Sequence, residues 1–309
     1  MIVSCGEALI DLFPADETNT EWQARPGGSP LNVAVAAARL GADAGFLGRV
    51  STDRFGDLLR DHLAASGVSD RYVSIGDEPT ALAVVEPGDD RHEPGFSFHG
   101  HGTADRALRP ADAELGDEVD VVHFAGSVTL LAEPADAVLE AAMTGSRGRR
   151  LVTLDPNVRP TIAGSPERLR PHLDRWLAAA DLVKVSRADI GWVEPGADPL
   201  DVAMAWIRRG PAVVVVTRGA DGSVAVTPER MCEVPATPVE VADTVGAGDS
   251  YMGGLLTWLS EHDATTRPAL GALDDQGWAD ALGFAGTVAA ITSTRIGADP
   301  PSRDELAGA

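Results

Sequence analysis

The segment Thr244-Val-Gly-Ala-Gly-Asp249-Ser-Tyr-Met-Gly-Gly-Leu-Leu joins a glycine turn to an apolar stretch, residues 251–259, that can form a helix. Gly246 and Gly248 let backbone amides converge, and a helix N-terminus behind such a turn attracts anions because free N–H groups and the helix dipole both favour negative charge. In that first turn, Asp249 could take a proton from a hydroxyl that attacks a bound phosphoryl group. It could equally be an ordinary helix cap. The glycine pattern alone leaves both interpretations open.

Outward from this segment, short apolar runs alternate with helical stretches. The runs are two-sided and β-branched, which is typical of buried parallel strands. This alternation predicts a three-layer αβα fold around a mostly parallel sheet. The predicted strands are residues 2–5, 119–124, 151–155, 182–185 and 212–217, and the predicted helices are residues 32–40, 134–143, 166–180 and 200–209.

Polar residues follow three of the predicted strands. Asp155 and Asn157 follow one strand, Ser186 follows the next, and Thr217 and Gly219 follow a third. Ligands of parallel α/β sheets gather at the carboxyl ends of the strands. We therefore expect a binding site at this edge of the sheet.

Two stretches, residues 12–25 and 80–101, break the alternation and look like hairpins with polar turns. We interpret them as a small β lid inserted into the main fold. No composition break divides the 309 residues, so we expect a single domain over residues 1–309.

Composition excludes several classes of protein. The net charge of −22 excludes nucleic acid as a partner, because phosphate-backbone binding needs a basic face. Apolar runs stay well below the roughly 20 residues that a membrane span needs. With Cys5 and Cys232 as the only cysteines and no signal-peptide pattern, we expect a cytoplasmic protein without a disulfide framework.

A second motif is Arg25-Pro-Gly27-Gly28-Ser-Pro-Leu-Asn32. Paired glycines allow a ligand close to the backbone, and Asn32 offers both a donor and an acceptor. Alone it could equally be a turn before a buried helix. Together, in this order and separation, the two motifs resemble the two signature regions of the ribokinase-like (PfkB) carbohydrate kinases. The resemblance runs from Met1 to about Pro301 and implies an ATP-dependent sugar kinase with the αβα fold and a β lid.

The resemblance implies roles around the sugar. Asp249 matches the family's catalytic base. Asp11 matches the carboxylate that hydrogen-bonds sugar hydroxyls, although it could be a plain strand-end aspartate. Anion-hole amides are implied for the turn Gly246, Ala247, Gly248 and Asp249, and the rest of the sugar floor is implied for Gly27, Gly28 and Asn32.

For the nucleotide, Thr217-Arg-Gly219-Ala-Asp-Gly222 resembles the family's phosphate and ribose turn, and the resemblance places adenine near Ala285 and Gly286. Lys184, the only lysine, could face the nucleotide or be a strand-end lysine whose head group reaches solvent. These implied positions make ATP the expected second substrate.

The metal positions are implied less directly. The family's Asn-x-x-Glu motif reads Ser186-Arg-Ala-Asp189 here, so Mg²⁺ is expected near Asp189 through water. Monovalent-cation positions, with K⁺ as the candidate ion, fall on Asp243, Val245 and Gly297.

Three further segments, beginning at Phe96, Phe124 and Asp155, look like bacterial fructokinases. Keto-deoxygluconate kinases are similar, but they place an arginine for the substrate carboxylate where this chain has Gly100. A neutral ketohexose is therefore expected, with fructose 6-phosphate and ADP as products, and with Phe98 and Arg159 as candidate sugar contacts. A 2-keto-3-deoxygluconate kinase and a non-catalytic sugar and nucleotide sensor stay open as alternatives. We also expect a homodimer formed through the lid.

Overall fold

The computed structural model describes residues 1–15, 20–86 and 95–306. Parts of the two predicted lid segments, residues 16–19 and 87–94, and tail residues 307–309 lie outside the described residues. The strands are β1 Ile2–Cys5, β2 Leu9–Pro14, β3 Trp22–Gly27, β4 Ala44–Ser51, β5 Val73–Gly76, β6 Ala81–Glu86, β7 Gly95–His99, β8 Val121–Ala125, β9 Leu151–Asp155, β10 Leu182–Ser186, β11 Val213–Thr217, β12 Ser223–Val226 and β13 Met231–Val234.

The main sheet has the order β13-β12-β11-β10-β9-β8-β1-β4-β5. From β5 to β11 every neighbouring pair is parallel, whereas β12 and β13 run antiparallel at one edge. Each strand predicted from an apolar run is present within two residues of the expected bounds. The antiparallel edge was not predicted, because β12 and β13 have only four residues each and their apolar runs are three residues or shorter.

Helices cover both faces of this sheet, which confirms the αβα prediction. They are α1 Ser29–Arg39, α2 Arg54–Ala65, α3 Ser127–Leu130, α4 Ala135–Ser146, α5 Pro160–Ala163, α6 Pro166–Ala179, α7 Arg187–Val193, α8 Pro199–Ile207, α9 Ala247–Glu261, α10 Arg267–Ala272, α11 Asp275–Ser293 and α12 Arg303–Leu306. Alternate residues of each strand point to opposite faces. Val183 belongs to a core cluster with residues of α4, α6, α7 and α8, while Leu182 belongs to a cluster on the other face with residues of α9 and α11.

Close packing of α9 sets the position of the candidate site. An ideal Cβ at Gly253 would lie 2.5 Å from Ala36 Cβ on α1, and one at Gly254 would lie 3.2 Å from Ala285 Cα on α11. Larger residues at these positions would push the helices apart. Gly253 therefore lets α9 pack closely on α1, and Gly254 lets it pack closely on α11.

A separate four-stranded sheet has the order β3-β2-β6-β7. It consists of two antiparallel hairpins, β2–β3 and β6–β7, joined through the parallel pair β2–β6. We call it the lid sheet. Its strand β2 begins at Leu9 and its strand β3 ends at Gly27, both outside the predicted bounds of 12–25.

The described residues contain no helix that combines the length and the apolar character needed to cross a bilayer.

Candidate active site

Helices α1 and α9 meet at Asp249. Gly246 adopts the left-handed conformation (φ 74°) that turns the chain into α9, and Asp249 lies in the first turn of that helix. Its Oδ1 accepts a hydrogen bond from Ser29 Oγ at 2.6 Å, and its Oδ2 accepts one from Asn32 Nδ2 at 2.9 Å. Asn32, expected on the sugar floor, therefore also orients the candidate base.

Opposing effects act on the pKa of the Asp249 carboxyl. Burial raises the pKa of this carboxyl above its ordinary value, and the negative charge of Asp155 adds to that effect. The hydrogen bonds from Ser29 and Asn32, together with the nearby Lys184 ammonium, act to lower the pKa. These three groups favour the ionised form that a base requires.

A buried ion pair lies behind the glycine turn. Lys184 Nζ donates to Asp155 Oδ2 at 2.7 Å, and the side chains are 4% and 2% exposed. Burial lowers the pKa of Lys184, but the charge and hydrogen bond of Asp155 outweigh it, and the net shift is upward. An ideal Cβ at Gly248 would lie 2.9 Å from Nζ, so glycine brings the turn directly against the ammonium.

A cavity of about 400 Å³ opens between the lid sheet and the start of α9. It is lined by predicted residues Asp11, Gly28, Asn32, Phe98, Arg159, Gly246, Gly248 and Asp249, and also by Glu7, Ser29, Phe96 and Val128. Gly27 lies directly against the Asp11 carboxylate: an ideal Cβ there would lie 2.1 Å from Asp11 Oδ2, so a side chain at this position would displace the carboxylate.

Two carboxyls in this cavity titrate near neutrality. Burial raises the pKa of Asp11 to about 7, with the Asp249 charge raising it further and Arg159 opposing. Burial also raises the pKa of Glu7 to about 7, against hydrogen bonds that include one from Thr129 Oγ1 at 2.9 Å. Apart from Arg159, the ionisable side chains lining this cavity are acidic.

Sequence reasoning missed Glu7 and Phe96 as lining residues. Phe96 and Phe98 lie two residues apart on β7, and their rings stack with centroids 6.1 Å apart. The period of two in a strand places both on one face. That spacing could have identified Phe96. Nothing in the sequence around Glu7 separates it from a buried turn residue.

Gly100 does not line this cavity, and the space beside it is filled. An ideal Cβ at Gly100 would lie within 2.7–2.9 Å of the Arg106 guanidinium, which itself lies outside the cavity lining. A side chain at position 100 would require the Arg106 guanidinium to move.

A second cavity of about 680 Å³ lies on the other side of Gly248. Its lining includes predicted residues Lys184, Ser186, Asp189, Thr217 and Gly219, together with the unpredicted Arg187, Trp192 and Arg218. The two cavities share Gly248 and residues 157–160, among them Arg159. A group transferred between them would pass Gly248 and Arg159.

Ser186 and Asp189 are bonded mainly to each other. Ser186 Oγ caps α7 by accepting from Asp189 N at 3.0 Å, and it donates to Asp189 Oδ2 at 2.8 Å. Asp189 Oδ1 accepts from Val158 N at 3.2 Å. Burial raises the pKa of Asp189, and the charge of Asp155 acts in the same direction.

Gly222 and Ala285 serve packing in this structure. An ideal Cβ at Gly222 would lie 2.0 Å from Val234 O, so glycine lets β12 and β13 approach. Ala285 is fully buried against α9 and offers no surface to a nucleotide. Gly286 has open space beside it but does not line the cavity at Lys184.

Asp243, Val245 and Gly297, the predicted monovalent-cation positions, lie together. Asp243 Oδ1 accepts from Val245 N at 3.0 Å, and Oδ2 accepts from Gly297 N at 2.8 Å. Over the part of the chain that the structure describes, no group of three His, Cys, Asp or Glu side chains could hold a metal ion. Cation binding at these residues stays a prediction.

Comparison with known proteins places this geometry in a family. A fructokinase of Klebsiella pneumoniae is 35% identical over 306 residues, covering 97% of this chain and 96% of its own length. The structure of fructokinase with bound ATP from Xylella fastidiosa superposes with a TM-score of 0.90 at 29% identity, covering 99% of this chain and 97% of that one.

A third comparison concerns a fructokinase of Vibrio cholerae O395 in fructose, ADP and calcium ion bound form. It superposes with a TM-score of 0.86 at 28% identity, covering 99% of this chain and 97% of that one. The model of the pfkB family of carbohydrate kinases matches residues 1–305. On this evidence the chain belongs to the pfkB carbohydrate kinase family.

Proposed function

We propose that this protein is a fructokinase, which transfers the γ-phosphoryl group of ATP to the 6-hydroxyl of D-fructose. The observation that carries the proposal is the position of Asp249, at the wall where an acidic cavity meets a basic one. Fructokinase relatives that cover nearly the whole chain support the choice of sugar.

Asp249 takes the proton from the attacking hydroxyl in this mechanism. Both of its oxygens are already oriented by Ser29 and Asn32, which fixes the carboxylate beside the glycine turn. Amides of Ala247 and Gly248 stabilise charge on the transferred group, and Lys184 adds a positive charge directly behind them. The lid sheet excludes water from the site and so limits hydrolysis of ATP.

The second cavity fits a nucleoside triphosphate. Lys184, Arg187 and Arg218 line it, and Thr217 and Gly219 form its turn at the end of β11. Arg159 lines both cavities and can contact the phosphoryl group during transfer. The three arginines and the lysine supply positive charge that a polyphosphate needs.

Mg²⁺ bound to the phosphates would neutralise their charge during transfer. Of the residues present, Asp189 fits this ion through water, because both of its oxygens already accept protein hydrogen bonds. K⁺ binding at Asp243, Val245 and Gly297 would use backbone carbonyls and stays part of the same proposal.

A neutral sugar suits the acidic cavity better than a sugar acid. Glu7, Asp11 and Asp249 face a single guanidinium, that of Arg159, so a substrate carboxylate would meet net negative charge. The relatives compared above are fructokinases, which gives no support to a 2-keto-3-deoxygluconate kinase.

The proposal also covers domain organisation, location and assembly. The chain forms one kinase domain with an inserted lid, it is cytoplasmic, and it forms a homodimer through the lid. The lid sheet ends in β3 and β7, and edge strands such as these are commonly covered by another chain. Sedimentation that shows only monomer at micromolar concentration would count against the dimer.

Release of ADP across a panel of neutral sugars and sugar acids tests the function. We expect turnover to be highest with D-fructose, lower with other neutral hexoses, and negligible with 2-keto-3-deoxygluconate. Binding of fructose and ATP without ADP release would favour the sensor, and preferred turnover of the sugar acid would overturn the choice of fructose.

A further inference from the structure

A loop near the C-terminus touches the glycine turn at two places. We call residues 295–300 the strap. An ideal Cβ at Gly246 would lie 2.4 Å from Ala298 Cβ, so the strap packs directly on the first glycine of the turn. Gly297 N donates to Asp243 Oδ2, while the other oxygen of Asp243 accepts from Val245 N. A shift of the strap therefore moves the turn that carries the anion-hole amides.

Arg25 of the lid sheet holds the strap. Its Nη1 donates to Ile296 O at 2.7 Å, and an ideal Cβ at Gly297 would lie 2.8 Å from the same Nη1. On the lid side, Gln23 Oε1 accepts from Nη2 at 2.8 Å, and the guanidinium lies 5.2 Å from the centroid of the Phe13 ring. The guanidinium is thus fixed by lid residues while one amino group reaches the strap.

The strap is also held by the helix that carries Asn32. Arg39 Nη1, at the end of α1, donates to Asp299 Oδ1 at 2.5 Å and to Pro300 O at 2.8 Å. Strand β3, which carries Arg25, runs on into Gly27 on the sugar floor. Both elements that grip the strap therefore also build the sugar cavity.

Charge neutralisation does not explain the contact of Arg25 with the strap. Acidic residues outnumber basic ones by 47 to 25, yet no carboxylate lies within ion-pair distance of Arg25 among the residues that the structure describes. Its charge-assisted hydrogen bond goes to a backbone carbonyl instead. A guanidinium that donates to a backbone carbonyl fixes the position of that carbonyl, here that of Ile296 in the strap.

We propose that Arg25 is a positioning residue that links the lid to the glycine turn through the strap. The proposal rests on the kinase function proposed above. When the lid settles over the sugar, Arg25 holds Ile296, and Ala298 and Gly297 then hold Gly246 and Asp243 in the geometry that aligns the amides. The alignment acts on phosphoryl transfer and leaves the binding of either substrate largely unchanged.

Arg25→Met tests this link, because methionine keeps an apolar stem on Phe13 and removes every donor. We expect kcat to fall about tenfold, which corresponds to about 1.4 kcal/mol of barrier, with KM for fructose and ATP within about twofold. Arg25→Lys keeps one donor for Ile296 O and should hold kcat within about threefold. The matched control is Arg71→Met, which removes a guanidinium lying 5.7 Å from the Tyr72 ring, away from both cavities; its kcat should not change.

Three results would overturn the proposal: an unchanged kcat in Arg25→Met, a loss seen only as a higher KM for fructose, or a lysine variant as poor as the methionine variant. If Arg25→Met does not fold, Gln23→Leu releases the guanidinium on the lid side, and an unchanged kcat there would equally refute the link. Wild-type turnover on fructose tests the function separately, and the variants are compared with whichever sugar of the panel the wild type phosphorylates.

Discussion

The two cavities that meet at Gly248 carry opposite charge. The cavity proposed for the sugar has Glu7, Asp11 and Asp249 against one arginine, and the cavity proposed for the nucleotide has Lys184, Arg187 and Arg218 beside Asp189. Arg159 belongs to both. In the proposed mechanism, this contrast lets one edge of a sheet bind a neutral polar substrate and a polyanion in separate cavities. The carboxylate of Asp249 lies outside the lining of the basic cavity, so its charge is kept apart from most of the nucleotide.

Removing the base from the acidic side should have the largest effect. In Asp249→Ala we expect kcat to fall by at least about a hundredfold with the fold intact, because losing a general base costs about 10² to 10⁴ in rate. Steady-state ADP release measures kcat, and circular dichroism checks the fold. Asp117→Ala is the control, since that side chain is fully exposed and lies in neither cavity lining. Near-normal turnover in Asp249→Ala would refute the assignment.

Removing Lys184 from the basic side should lower stability as well as turnover. Lys184→Met leaves Asp155 buried without its partner, which should lower the unfolding free energy by about 3 kcal/mol. Urea denaturation measures the change. Adding Asp155→Asn should recover much of the loss, because the uncompensated charge is then gone.

An exposed ion pair of the same cavity provides the control. Arg187→Met breaks the pair with Asp221, whose side chains are 52% and 63% exposed, and should change the unfolding free energy by at most about 1 kcal/mol. Equal losses in Lys184→Met and Arg187→Met would show that burial of the lysine pair does not matter.

The smallest effect is expected at Asp11 and depends on pH. The pKa of Asp11 is about 7, and the ionised form accepts stronger hydrogen bonds from sugar hydroxyls, so KM for fructose should fall as the pH rises from 6 to 8. Asp11→Asn cannot ionise, so its KM should be about tenfold higher at pH 8 and should vary little with pH. Initial rates at several pH values measure both. A variant that keeps the wild-type slope would assign the titration to another group, such as Glu7.

The same titration of Asp11 should have the opposite effect on stability: a rise in pH strengthens fructose binding but lowers the unfolding free energy. Because the pKa of Asp11 is higher in the folded protein than in the unfolded chain, the folded state holds the extra proton between about pH 4 and 7. Unfolding free energy therefore decreases as the pH rises through this window. In Asp11→Asn that decrease should be smaller.

The parts of the fold with continuous apolar runs could be predicted from the sequence. Strands β9, β10 and β11 are buried on both faces, and their runs stand out. The lid strands alternate weakly and are partly exposed, so their bounds were off by up to three residues at an end. Strands β12 and β13 are too short for a period to show.

The site could be predicted where a motif carries it and not where packing decides. The motifs around Gly28 and Gly248 identified Gly28, Asn32, Gly246, Gly248 and Asp249 in the lining of the first cavity, and the strand-end residues identified Ser186, Thr217 and Gly219 in the second. Ala285 was matched by position along a helix, and the structure turns it toward Gly254. The bond between Asn32 and Asp249 joins residues 217 positions apart, which no local pattern reveals.

Lys184 has a chemical consequence beyond its charge. As the only lysine, it carries the only ε-amine of the chain, and its side chain is buried in a salt bridge with Asp155. The surface is positively charged by arginine alone, and guanidinium groups do not react with acylating reagents as amines do. Amine-directed modification of the folded protein therefore finds no lysine at the surface, and a reactive ε-amine reports that the surroundings of Lys184 have opened.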